Sequence, residues 1–104
     1  MGKNRAIESL VRLIVNTVVH EIVAKHTNKP ESFHFLQTEI IEYRDQTEKA
    51  AKEYNWNNED KEYINKTALK KIKERLAIKY SDVKYSEQEI KEKLKKMIEK
   101  IMYI

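Results

Sequence analysis

AIESLVRLIVNTVVHEIVAK, residues 6–25, decides how the rest of the chain must be arranged. Read at four-residue steps, Ile7, Val11, Val15, Val19 and Val23 form one apolar row, and Leu10, Ile14, Val18 and Ile22 form a second beside it. Glu8, Arg12, Asn16 and His20 form a polar row opposite. Residues four apart stack on one face of an α-helix, so the pattern is a helix with two apolar ridges and one wet stripe. A strand over Leu10–Val19 is the competitor, because branched residues suit strands. It fails on sidedness: Arg12, Asn16 and His20 would share a face with Leu10, Ile14 and Val18. The apolar arc covers more than half the circumference, wider than a surface helix needs. The valines also make the segment a weak helix in isolation. Neighbours must therefore hold it on more than one side, at the centre of a bundle or between subunits. The expectation is a first helix over about 5–26, the most buried of the fold. Self-association, a dimer first, is expected through Val11, Val15, Val19 and Val23.

Outward from this helix, Pro30 stands where the first turn of a second helix tolerates it, with Glu31 on the positive helix end. Phe33, Leu36, Ile40, Tyr43, Thr47, Ala50 and Tyr54 then alternate three and four apart, a heptad seam that Ile41 and Ala51 widen. Thr47 and the two alanines predict close helix approach rather than a strong free-standing coiled coil. Asn55-Trp56-Asn57-Asn58 interrupts the pattern, and Asn57 or Asn58 can cap a third helix whose buried face is Ile64, Ala68, Leu69, Ile72 and Leu76. Ser86 with Glu89 reads as a capping box, and Tyr85 with Ile90 as a hydrophobic staple. They open a fourth helix that buries Ile90, Leu94, Met97, Ile98 and Ile101. The whole predicts one all-α domain over residues 1–104, a small four-helix bundle with helices at about 5–26, 30–54, 58–80 and 87–102.

Composition agrees and excludes several function classes. A single Gly and a single Pro leave little material for Gly-rich phosphate loops or hairpins. Without cysteine there are no disulfides, thiolate metal sites or cysteine nucleophiles. No apolar run approaches the roughly eighteen residues needed to cross a bilayer, and MGKNRAIESL lacks the features of a signal peptide. The expectation is a cytoplasmic protein with no transmembrane segment. The net charge of +4 is unevenly placed. Residues 1–60 carry eight Lys/Arg against ten Asp/Glu, about −2, whereas residues 61–104 carry thirteen against seven, about +6. The second half is the place to look for an anionic partner.

Candidate chemistry is thin. His20 and His26 flank Glu21, but six residues apart they fall on opposite sides of a helix, whereas a zinc-protease helix needs four. Glu31-Ser32-Phe33-His34 is one Glu-x-x-His, and a di-iron bundle needs two. No metal and no cofactor is expected. A substrate cleft between helices would need several arginines converging from different helices, and only Arg5, Arg12, Arg44 and Arg75 exist. An intrahelical pair explains Glu8 and Arg12 without a cleft, and a hydrolase triad has no glycine elbow here. The chain is therefore not expected to be an enzyme, and no residue is assigned a catalytic role.

The expected function is a small interaction or regulatory protein that acts through self-association or a partner protein, with Trp56 a further candidate contact. The alternative is a nucleic-acid-binding protein using backbone rather than base-specific contacts. Lys66, Lys70, Lys73 and Arg75 on the third helix, with Lys93, Lys96 and Lys100 on the fourth, are its candidate phosphate contacts. Base reading is not expected, since the last helix has no row of Arg, Asn or Gln beyond Gln88. Intrahelical pairs such as Glu89–Lys93 and Glu92–Lys96 would instead make the same lysines ordinary solvated surface.

Overall fold

The computed structural model describes residues 2–26, 30–80 and 85–102, with side chains over 3–26, 37–80 and 85–102. Phe33, His34 and Leu36 lie outside the described side chains, and the 81–84 connector lies outside the described residues. The chain forms four helices: α1 (Gly2–His26), α2 (Pro30–Lys52), α3 (Asn58–Lys79) and α4 (Glu87–Met102). Helix α1 starts a few residues earlier than its apolar pattern, and α2 ends before Tyr54. The described residues contain no strand.

Cross-helix pairs fix the topology. Thr17 meets Thr47 and Glu21 meets Arg44, so α2 runs antiparallel to α1. Lys3 meets Asp60 near the start of both helices and Asn16 meets Arg75 near the end, so α3 runs parallel to α1. Glu21 meets Lys93 and His26 meets Glu89, so α4 is antiparallel to α1. Helix α1 packs against all three others, whereas α2 and α3 make no contact among the described residues. The four helices thus alternate up and down, but neighbours in sequence are not all neighbours in space. Around the bundle the order is α2, α1, α3, α4, and the 53–57 connector crosses the end of the bundle diagonally. Five extended residues reach about 17 Å, enough for that crossing.

The wide apolar arc of α1 is consumed by this arrangement. Leu10, Val11, Ile14, Val15, Val18, Val19 and Ile22 are fully buried, with Ile7, Val23 and Ala24 nearly so, within a single chain. Val11, Val15, Val19 and Val23 are therefore core residues, and the arc does not require a second copy to cover it. Removing apolar side chains from water contributes about 25 cal/mol per Å² of apolar surface, and α1 supplies about half of the buried residues. Ile40, Ala51, Ile64, Ala68, Ile72, Leu76, Ile90, Leu94, Met97, Ile98 and Ile101 complete the core. The two methionine-bearing turns of α4 are thus largely spent on internal packing; Met102 is only partly buried against the same core.

Close approach of α1 and α2 is visible at the threonines. Thr17 Oγ1 donates to the Leu13 carbonyl at 2.8 Å and Thr47 Oγ1 to the Tyr43 carbonyl at 2.6 Å. The two buried hydroxyl oxygens lie 3.4 Å apart, satisfied mainly by their own helices. Ile41 departs from the expected seam. It is 66% exposed, because α1 occupies only the Ile40–Thr47–Ala51 face of α2.

Trp56 plugs the crossed end of the bundle. Its Nε1 donates to the Ala51 carbonyl at 2.8 Å, and its ring lies 5.7 Å from Tyr54 and 5.9 Å from Lys3 Nζ. It packs against the core rather than standing free for a partner.

Candidate functional site

The cap of α3 sets the register from which the site is built. Asp60 N–H donates to Asn57 Oδ1 at 2.8 Å, and Asn57 N–H donates to Asp60 Oδ2 at 3.2 Å. This reciprocal box satisfies two helix-end donors. The same Asp60 accepts from Lys3 Nζ at 2.6 Å, which fastens the starts of α1 and α3 together and holds the Asp60 carboxyl below its usual pKa range. Further along, the Arg75 guanidinium donates to the Asn16 side-chain oxygen. Between these two ties, the two parallel helices leave a groove of about 710 Å³.

From α3 the groove receives Tyr63, Thr67, Lys71 and Arg75, one row at four-residue spacing, and from α1 it receives Arg5, Glu8, Ser9 and Arg12. Buried Val11 and Val15 form its floor. Three of the chain's four arginines therefore converge here, together with Lys71, against the single carboxylate of Glu8. Among the described residues, neither Arg5, Arg12, Lys71 nor Arg75 is in an ion pair. The intrahelical Glu8–Arg12 pair expected from the sequence is not formed. Like charges gathered in this way repel, modestly in water and more strongly as a ligand displaces it, and an anion relieves that repulsion. Arginine adds a geometric preference, since its planar fork matches phosphate oxygens in pairs.

The lysines singled out on α3 are not brought together with those on α4. Lys73 is engaged by Glu87, and that contact holds the Glu87 carboxyl below its usual range. Lys93 Nζ lies 3.8 Å from Glu21, and Lys100 Nζ 3.4 Å from Glu48, both facing α1 and α2 rather than α3. Lys66, Lys70 and Lys96 are exposed, the first two on α3 and the last on α4, beside Lys93 and Lys100 in a separate groove of mixed charge. Only Arg75 of the set lines the α1/α3 groove. The expected Glu89–Lys93 and Glu92–Lys96 pairs are absent too. Glu89 turns to α1 instead, 2.7 Å from His26 Nε2 and 3.7 Å from Lys25 Nζ. That contact also breaks the expected reciprocal box at α4. Ser86 Oγ accepts from the Glu89 N–H at 3.1 Å, but the Glu89 carboxylate points to the end of α1, where it meets Lys25 and His26. Both residues of the expected staple are apolar-packed, Tyr85 partly buried against the core and Ile90 fully buried.

His20 is on the other side of α1 from the groove. Its Nδ1 lies 2.6 Å from the Asn16 carbonyl oxygen, its Nε2 3.0 Å from Glu39, and its ring 5.3 Å from Tyr43. Arg12 and His20 thus share no pocket, and the groove holds no histidine. A second groove, about 790 Å³ between α3 and α4, is lined by both signs of charge, including Lys61, Glu62, Lys91, Lys95 and Glu99. The described residues contain no grouping of three His, Asp or Glu able to hold a metal, and no helix long and apolar enough to cross a membrane. Compared with known proteins, the chain matches no family model, no curated protein and no solved structure.

Proposed function

We propose that this chain is a small non-enzymatic helical binding protein whose ligand is a nucleic-acid backbone held in the α1/α3 groove. The observation that carries the reading is the convergence of Arg5, Arg12, Lys71 and Arg75 from two helices, with only Glu8 to oppose them. Spacing separates a chain of phosphates from a single one. Arg5 and Arg12 stand about 10 Å apart along α1, and Lys71 and Arg75 about 6 Å apart along α3. One phosphate cannot touch all four, but successive phosphates of a strand can. The excess positive charge of residues 61–104 favours approach of the same ligand from a distance. Binding rather than catalysis is supported by the placement of His20, which is engaged with Glu39 and the Asn16 carbonyl away from the groove. The self-association reading rested on the valine row, and that row is covered within one chain.

The test is binding of labelled nucleic acid at low salt, read by fluorescence anisotropy. Neutralising three to four phosphates gives a fall of log K against log salt with a slope of about −3. Replacing Arg12→Glu together with Lys71→Glu should abolish binding while leaving the helical circular dichroism intact. Undiminished binding by that double variant would place the site elsewhere, and no binding by the unaltered protein at low salt would refute the function.

A further inference from the structure

We infer that the strand bound in this groove is single-stranded and that Tyr63 is the platform on which one of its bases stacks; this rests on the groove being the backbone site. Tyr63 opens the α3 row that continues through Thr67 and Lys71 to Arg75, so its ring stands at one end of the line of cations. It is 56% exposed, and among the described residues it has neither a ring partner nor a hydrogen bond. The other described aromatic side chains are occupied in the fold. Tyr43 lies on His20, Tyr54 and Trp56 lie on each other, and Tyr80 and Tyr85 pack on the core. Tyr63 is the most exposed of them, and it lines the cationic groove.

Cations that follow a backbone, with an aromatic face beside them, are the two components of single-strand recognition. Duplex fits this geometry poorly. The axes of two packed helices lie about 8–10 Å apart, so the groove admits one strand. A duplex would rest across the tops of α1 and α3 with its bases still paired, and none of them could reach Tyr63. The tyrosine hydroxyl is not required, because stacking uses the ring face. Any base serves, so the preference is for strandedness rather than sequence.

The experiment compares the full-length protein with Tyr63→Ala and Tyr63→Phe, using a single strand and a duplex of equal length, with heparin as a polyanion without bases. The single strand should bind more tightly than the duplex. Tyr63→Ala should weaken single-strand binding about 10-fold, within the range of one lost stacking contact, with the salt slope unchanged and Tyr63→Phe close to the unaltered protein. Duplex and heparin binding should be indifferent to both substitutions. Single-strand binding that ignores Tyr63→Ala, or heparin held as tightly as the strand, would overturn the inference yet leave the groove as a backbone site. Loss of all binding in Arg12→Glu/Lys71→Glu, alongside indifference to Tyr63→Ala, would identify that outcome. If the double variant binds as well as the unaltered protein, the underlying function fails instead.

Discussion

On the side of α1 that meets α2 and α4, Glu21 receives Arg44 at 2.8 Å and Lys93 at 3.8 Å, Glu48 receives Lys100, and Glu89 receives His26 and Lys25. On the side that meets α3, Arg5, Arg12, Lys71 and Arg75 crowd one groove with a single carboxylate among them. Both surfaces are rich in basic residues. The first pairs most of them with carboxylates across helices. In the second none is in an ion pair among the described residues, although Arg75 is tied to the Asn16 side chain. The two surfaces therefore differ less in their number of cations than in whether the fold sets carboxylates against them.

The largest effect tests the premise that α1 carries both surfaces. Ile14→Ala removes a fully buried side chain from the centre of the helix. It should cost about 3 kcal/mol in urea unfolding. Nucleic-acid binding at temperatures below its lowered midpoint should be retained, because Ile14 does not line the groove. Loss of binding in the folded variant would show that the groove depends on core packing far more than the charge comparison allows.

A smaller effect inverts the comparison. Glu21→Ala with Glu48→Ala strips the counter-charges from Arg44, Lys93 and Lys100. These partly exposed pairs are weak, so the loss of stability should be about 1 kcal/mol. The released cations should give the otherwise inactive Arg12→Glu/Lys71→Glu protein a measurable, salt-sensitive affinity for single strands. If removing those carboxylates creates no affinity, unpaired charge alone does not make the site, and the shape of the α1/α3 groove must matter.

The smallest effect is in acid. Lys3 and Lys73 lower the pKa values of Asp60 and Glu87 below those of the unfolded chain, chiefly by side-chain hydrogen bonds. Such groups stabilise the fold above the unfolded pKa, and their contribution disappears as pH falls through the folded pKa. Both pairs are at the surface, so the acid loss from them should be slight, and Lys3→Ala with Lys73→Ala should make it slighter still in a thermal-denaturation series below pH 5. A steep acid transition that survives those substitutions would show that the Lys3 and Lys73 contacts are not its source.

Much of this fold is legible in one-dimensional spacing. The rows of α1, the Asn57 cap and the Tyr85–Ile90 staple depend on residues within a turn or two of each other, and periodicity reads such relations directly. Ile41 misled because a heptad seam has a width that only the partner helix sets. Glu89 was assigned to the start of its own helix, but Lys25 and His26, more than sixty residues earlier, compete for it more strongly. The groove was the hardest to foresee. Arg75 could be picked out on α3, but its alignment with Arg5 and Arg12 follows from the parallel docking of α1 and α3, which no local pattern encodes. One signal was present. The chain uses arginine four times against seventeen lysines, and three of those four meet in the groove. Where lysine is the default cation, each arginine merits the question of what its fork could hold.

The diagonal passage of residues 53–57 gives the molecule a built-in optical reporter. Trp56, the chain's one indole, rests where the end of α2, the start of α1 and the approach to α3 come together. The contacts of that indole, with the Ala51 carbonyl, Tyr54 and Lys3, lie on α2, the connector and α1, so closing the first hairpin already brings them together. Its emission therefore reports the meeting of the end of α2 with the start of α1, apart from helix formation and without any added dye.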